Sequence, residues 1–93
     1  MATDQDARKA LKELSEGIES RLDYVADLRV IGDVTQAEAR AALRKFLSKE
    51  IHDYEALIRA GKNHCQPKLD EALSTVDALD KNQEVVIYRG LEF

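Results

Sequence analysis

The sequence predicts a mainly α-helical single domain. The expected architecture is a long antiparallel helical hairpin, a shorter third helix, and a C-terminal β-strand (about residues 84–89) that pairs across a dimer or with a partner. Three observations carry this reading. Apolar residues recur at spacings of three and four through most of the chain, which places them on one face of a helix. "GDVTQAEARAAL" joins a glycine stop to a helix-opening motif. "EVVIYR", near the end, sets four β-branched or aromatic residues in succession, a strand pattern.

The first helix is predicted over about residues 4–30. Ala7, Leu11, Leu14, Ile18, Leu22 and Val25 share one stripe. Thr3 or Asp4 is placed to cap its start. Gly17 falls inside this span, where a helical glycine costs about 1 kcal/mol relative to alanine. Gly32 then stops the helix, and Thr35 with Glu38 forms a capping box for the next, with Val34 positioned as a hydrophobic staple.

The second helix spans about residues 36–60. Ala39, Leu43, Phe46, Leu47, Ile51, Tyr54, Leu57 and Ile58 line its apolar arc, and Gly61 ends it. So short a turn between two long helices folds them back as an antiparallel hairpin. Pro67 suits the first turn of a third helix, about residues 67–80, striped by Leu69, Leu73, Val76 and Leu79. That helix is too short to cover the whole hairpin at 1.5 Å per residue. The hairpin tip, around Leu22, Val25, Val30, Ile31, Leu43, Phe46 and Leu47, is expected to lack cover from this chain. A lone strand carrying Val85, Val86, Ile87 and Tyr88 also needs a neighbour for its backbone. Both features point to a protein interface and favour a homodimer. A partner's sheet edge or residues 28–31 could serve the strand instead.

The net charge of −4 argues against non-specific binding to nucleic acid or an anionic membrane. A single cysteine makes no intramolecular disulfide, so a reducing compartment is expected. The start of the chain lacks an apolar leader core, and no apolar run approaches membrane-spanning length. A cytoplasmic protein is the expectation.

Candidate chemistry is sparse. His64 and Cys65 adjoin in "NHCQP", with His52 elsewhere, but adjacent residues hold one metal ion poorly and no C-x-x-C partner exists. Cys65 is expected to pack under the helix ends. No metal, cofactor or catalytic group is assigned, and enzymatic activity is not expected. Glu13, Glu16, Glu19, Asp23 and Asp27 form an acidic arc on a continuous first helix, opposite its apolar stripe. Arg40, Arg44, Lys45 and Lys49 rim the apolar arc of the second. Glu50 falls inside that arc, near Gly17 and within reach of Arg21. It either reaches water at the arc's edge or forms an inter-chain ion pair that sets dimer register.

The expected function is that of a small non-enzymatic interaction or regulatory protein, an adaptor, chaperone or inhibitor acting as a homodimer. One alternative is a bacterial or phage inhibitor of a nucleic-acid-handling complex that uses the acidic face. Another is a nucleic-acid-binding module working through the basic residues of the second helix.

Overall fold

A computed structural model describes residues 4–93, so Thr3, one of the two capping candidates, lies outside it. Four helices follow in order: α1 (Asp4–Ser15), α2 (Arg21–Ile31), α3 (Gln36–Arg59) and α4 (Gln66–Asp80). A 3-10 turn at Asn63–Cys65 precedes α4, and two short strands, β1 (Ile87–Tyr88) and β2 (Leu91–Glu92), close the chain.

The continuous first helix of the sequence reading is replaced by two helices that fold back on each other. The break lies at Gly17, which adopts φ +95°. Its N–H donates to the Leu14 carbonyl at 3.0 Å, and the N–H of Ile18 donates to that of Glu13 at 3.1 Å. This pair of bonds is a Schellman motif, which ends a helix through a left-handed residue. The same motif follows Ile31, where Gly32 donates to Arg29 and Asp33 to Leu28. Helical periodicity runs on through residues 18–25 because α2 resumes an apolar stripe of its own.

α3 is the axis of the molecule. Its 24 residues span about 36 Å, most of the 44 Å long dimension. The capping box forms as expected. Thr35 Oγ1 accepts from the Glu38 N–H at 3.0 Å, and Glu38 Oε1 accepts from the Thr35 N–H at 3.0 Å. Val34 is buried beside it. Because Arg8 reaches Glu38 and Lys49 reaches the Glu16 carbonyl, α1 runs parallel to α3. α2 therefore descends between them in sequence, and α4 returns along α3 after the turn at Gly61. α1 and α2 pack on each other and on the first half of α3, while α4 packs along α3. The buried residues of α3 (Ala39, Ala42, Leu43, Phe46 and Leu47) all lie in that first half.

The C-terminal segment finds its neighbour inside the chain. β1 and β2 pair antiparallel, with Tyr88 opposite Leu91 and Ile87 opposite Glu92, and the Phe93 N–H donates to the Val86 carbonyl at 2.8 Å. The two residues between the strands, Arg89 and Gly90, both have positive φ, 50° and 77°. This is the type I′ geometry that matches the twist of a tight hairpin. The strand is shorter than the expected 84–89, and its pairing requirement is met by residues 91–93.

The hairpin fills the groove between α2 and α4, with β2 against α2 and β1 against α4. Val86, Tyr88 and Phe93 are fully buried there. Each such side chain contributes about 1.5–3 kcal/mol of transfer free energy. Tyr88 meets Phe46 edge-on, with centroids 6.4 Å apart and ring planes at 64°. The expected bare hairpin tip is thus corrected: Leu22, Val25, Leu43, Phe46 and Leu47 form the chain's own core together with Tyr88 and Phe93. The lengths of the helices alone could not show this, because a β-hairpin and not a helix supplies the cover. No described helix is long and apolar enough to cross a membrane.

Candidate functional site

Of the eleven side chains expected at an interface, seven are internal: Leu22, Val25, Leu43, Phe46, Leu47, Val86 and Tyr88. The other four stay outside. Val30 is 72% exposed, Ile31 62%, Val85 55% and Ile87 59%. Strand alternation explains the last two, since Val86 and Tyr88 point inward and Val85 and Ile87 therefore point outward. Val30 and Ile31 end α2 on the side away from the core.

Of the four, Val85 lies at the end of the molecule where α3 begins. A shallow depression of about 450 Å³ is lined there by Arg29, Gln36, Arg40, Asn82, Gln83, Glu84, Val85 and Glu92. Val30 and Ile31 follow Arg29 directly, and Ile87 lies two residues beyond Val85 on the same strand face. Arg40 organises this end. Its Nε donates to the Phe93 carbonyl at 3.0 Å, its Nη1 to that of Gln83 at 2.7 Å and its Nη2 to that of Glu84 at 3.0 Å. One guanidinium thus satisfies three carbonyls that no strand reaches, a use of its rigid donor fork. With its amide oxygen turned toward the guanidiniums, Gln36 accepts from Arg40 Nη2 at 3.1 Å and from Arg29 Nη2 at 3.2 Å.

The other end of the hairpin is fixed by Arg89. Its guanidinium pairs with Glu19, lies 3.7 Å from Glu50 Oε2, donates to the Tyr54 hydroxyl at 3.2 Å and stands 5.1 Å from the Tyr88 ring centroid. Glu50, singled out within the apolar arc, is largely enclosed and does not simply reach water at the arc's edge, and its partner is Arg89 of the hairpin instead of Arg21 or a second chain. Arg21 sits beside Glu13, 3.5 Å away. Burial, followed by the hydrogen bond and charge of Glu50, pushes the Tyr54 phenol up to about 12. Burial also raises that of Tyr88.

The break at Gly17 dissolves the single acidic row. Glu13 lies on α1, Glu16 and Glu19 in the connector, and Asp23 and Asp27 on α2. Glu13 and Glu19 are engaged by Arg21 and Arg89. The basic residues of α3 are largely occupied as well. Arg40 clamps the C-terminal segment, Arg44 pairs with Asp80 at 3.1 Å, and Lys49 caps the end of α1. Cys65 is buried under the turn into α4, as its residue type suggested, while His52 and His64 are exposed. No group of three His, Cys, Asp or Glu among the described residues could hold a metal ion.

Arg40 and Arg89, the two residues that seat the hairpin, were not assigned these roles from the sequence. The available signal was confined to Gly90, a residue free to take positive φ between "VVIY" and "LEF", with an arginine before it that is no turn former. No family model, curated protein or solved structure matches this chain.

Proposed function

We propose that this chain is a small protein-binding module without catalytic activity, acting as a homodimer through the end that carries Val30, Ile31, Val85 and Ile87. The observation behind this reading is that Val85, more than half exposed, lines one depression, while Val30 and Ile31 follow the lining residue Arg29 in the chain and Ile87 lies opposite the lining residue Glu92, all three likewise more than half exposed. Scattered exposed aliphatics are ordinary, but a grouped set with a polar rim is the usual composition of an interface. The rim supports a second copy as the partner. Arg29 and Arg40 line the depression together with Glu84 and Glu92, so both charge signs occur on one patch. A two-fold contact brings the same patch from both copies together and requires such self-complementarity. The hairpin edges are a poorer surface for pairing, because helices flank both strands.

The test is light scattering coupled to size-exclusion chromatography. The unaltered chain is expected to elute as a dimer at micromolar concentration, and Val30→Glu with Val85→Glu as a monomer with unchanged helical circular dichroism. A monomeric unaltered chain would remove the homodimer.

A further inference from the structure

We infer that the depression at the start of α3 binds a small dianionic oxyanion, a phosphoryl group held at Arg29 and Arg40. This goes beyond the homodimer reading and stands with or without it.

Two guanidiniums meet there without a counter-charge. The Nη2 atoms of Arg29 and Arg40 lie 3.2 and 3.1 Å from one oxygen, that of the Gln36 amide, so they stand within two hydrogen-bond lengths of each other. Like charges this close repel, and a neutral amide offsets only part of the cost. Arg8, Arg21, Arg44 and Arg89 each have a carboxylate partner. Arg29 and Arg40 form no ion pair with any described residue. The partners of Arg40 are the carbonyls of Gln83, Glu84 and Phe93 and the Gln36 amide, none of which carries a full charge.

The two arginines offer different things to a ligand. Arg40 is fixed by its three carbonyls, so its charge is held in place before anything binds. Arg29 spends one donor on Gln36, and the rest of its fork is unspent among the described residues. The amides of Asn82 and Gln83 line the same depression and add N–H donors. Glu84 and Glu92 line it too, and they favour one compact group seated at the arginines over an extended polyanion. Two adjacent positive charges call for two negative charges on one small group. A phosphoryl group carries them and a single carboxylate does not.

Nitrogen–proton spectra of the labelled full chain, titrated with sodium phosphate at constant ionic strength and mildly alkaline pH, read the site directly. The Nε–H signals of Arg29 and Arg40 and the side-chain amides of Gln36 and Asn82 should shift and saturate, with half-saturation at about 1 mM, the affinity that two charge-assisted contacts supply. Acetate should bind roughly tenfold more weakly, and equal binding would overturn the phosphoryl assignment. Glycerol phosphate in a parallel arm separates a monoester from the free ion, and saturable binding of either supports the site. Arg29→Gln should abolish the saturable shift and leave the rest of the spectrum in place. Gln36→Glu supplies a carboxylate to both guanidiniums from within the chain and should weaken phosphate binding roughly tenfold or more. A shift that rises without saturating, spreads over the surface lysines, or is unchanged in either variant overturns the site.

Discussion

Replacing Gly17 by alanine separates two accounts of the first thirty residues, because they predict opposite signs. In a continuous helix the substitution removes a glycine from the interior and stabilises the chain by about 1 kcal/mol. In the structure Gly17 has φ +95° and ends α1. A Cβ in the left-handed region costs roughly 1–2 kcal/mol. It would also stand 2.7 Å from Lys49 Cδ. The lysine is a flexible, exposed chain and swings aside, but its 3.3 Å hydrogen bond to the Glu16 carbonyl is lost, a further few tenths of a kcal/mol at such an exposed site. Against this, alanine restricts the unfolded chain and returns about 0.4–1 kcal/mol. The net expectation is a loss of about 1 kcal/mol, or a melting temperature lower by about 4–8 °C for a domain of this size. Urea denaturation followed by circular dichroism measures it at fixed protein concentration. A Gly17→Ala chain as stable as the original, or more so, would refute the helix break.

Three other perturbations follow from the hairpin and its contacts. Tyr88→Ala deletes a fully buried ring, and should cost about 3–5 kcal/mol in the same denaturation experiment; a loss under about 1 kcal/mol would mean the hairpin is not part of the core. Arg89→Asn keeps a residue tolerant of the left-handed turn but leaves Glu50 without its cation. It should destabilise by about 1–2 kcal/mol, with Glu50→Gln recovering part of the loss in the double variant; equal and additive losses would show that the two do not interact. The Tyr54 phenol, with an ordinary value of 10 raised to about 12, keeps its proton in the folded chain after the unfolded chain has lost its own. Its contribution is therefore whole below about pH 10 and lost as pH rises toward 12. Phenolate absorbance, taken as the difference between the unaltered chain and Tyr54→Phe, should titrate near the upper value, and a midpoint near 10 would contradict the enclosed site.

Local signals in this sequence translate well into structure, and non-local ones do not. Thr35, Glu38 and Gly32 form the cap and stop that their spacing implies, because every partner lies within a few residues, and Val34 is buried beside them. Gly17 misled because apolar periodicity continues across it. The deciding contacts, from Gly17 to Leu14 and from Ile18 to Glu13, are backbone bonds that leave no mark in a stripe of side chains. The fate of the C-terminal strand depended on Arg89 and Gly90 both taking positive φ, a demand that asparagine–glycine announces and arginine–glycine does not. Once that turn was missed, the groove side chains Leu22, Val25, Phe46 and Leu47 looked bare. The wheel position of Glu50 singles it out within the apolar arc, but of the two outcomes expected, water at the arc's edge or a cation from another chain, neither is its contact in the structure, which is Arg89 of the chain's own hairpin. At the candidate interface, alternation along the strand separates Val85 and Ile87 from Val86 and Tyr88, whereas the exposure of Val30 and Ile31 follows only from the direction in which α2 descends.

The central claim is that the end bearing Val30, Ile31 and Val85 is where this chain meets another copy of itself. Amide chemical shifts of uniformly labelled protein, followed from micromolar to millimolar concentration, test it most directly. The account predicts concentration-dependent shifts that concentrate in residues 29–31 and 81–87, while the amides on the outer face of α1 stay unmoved. Spectra that do not change with concentration, or changes centred elsewhere on the surface, would contradict it.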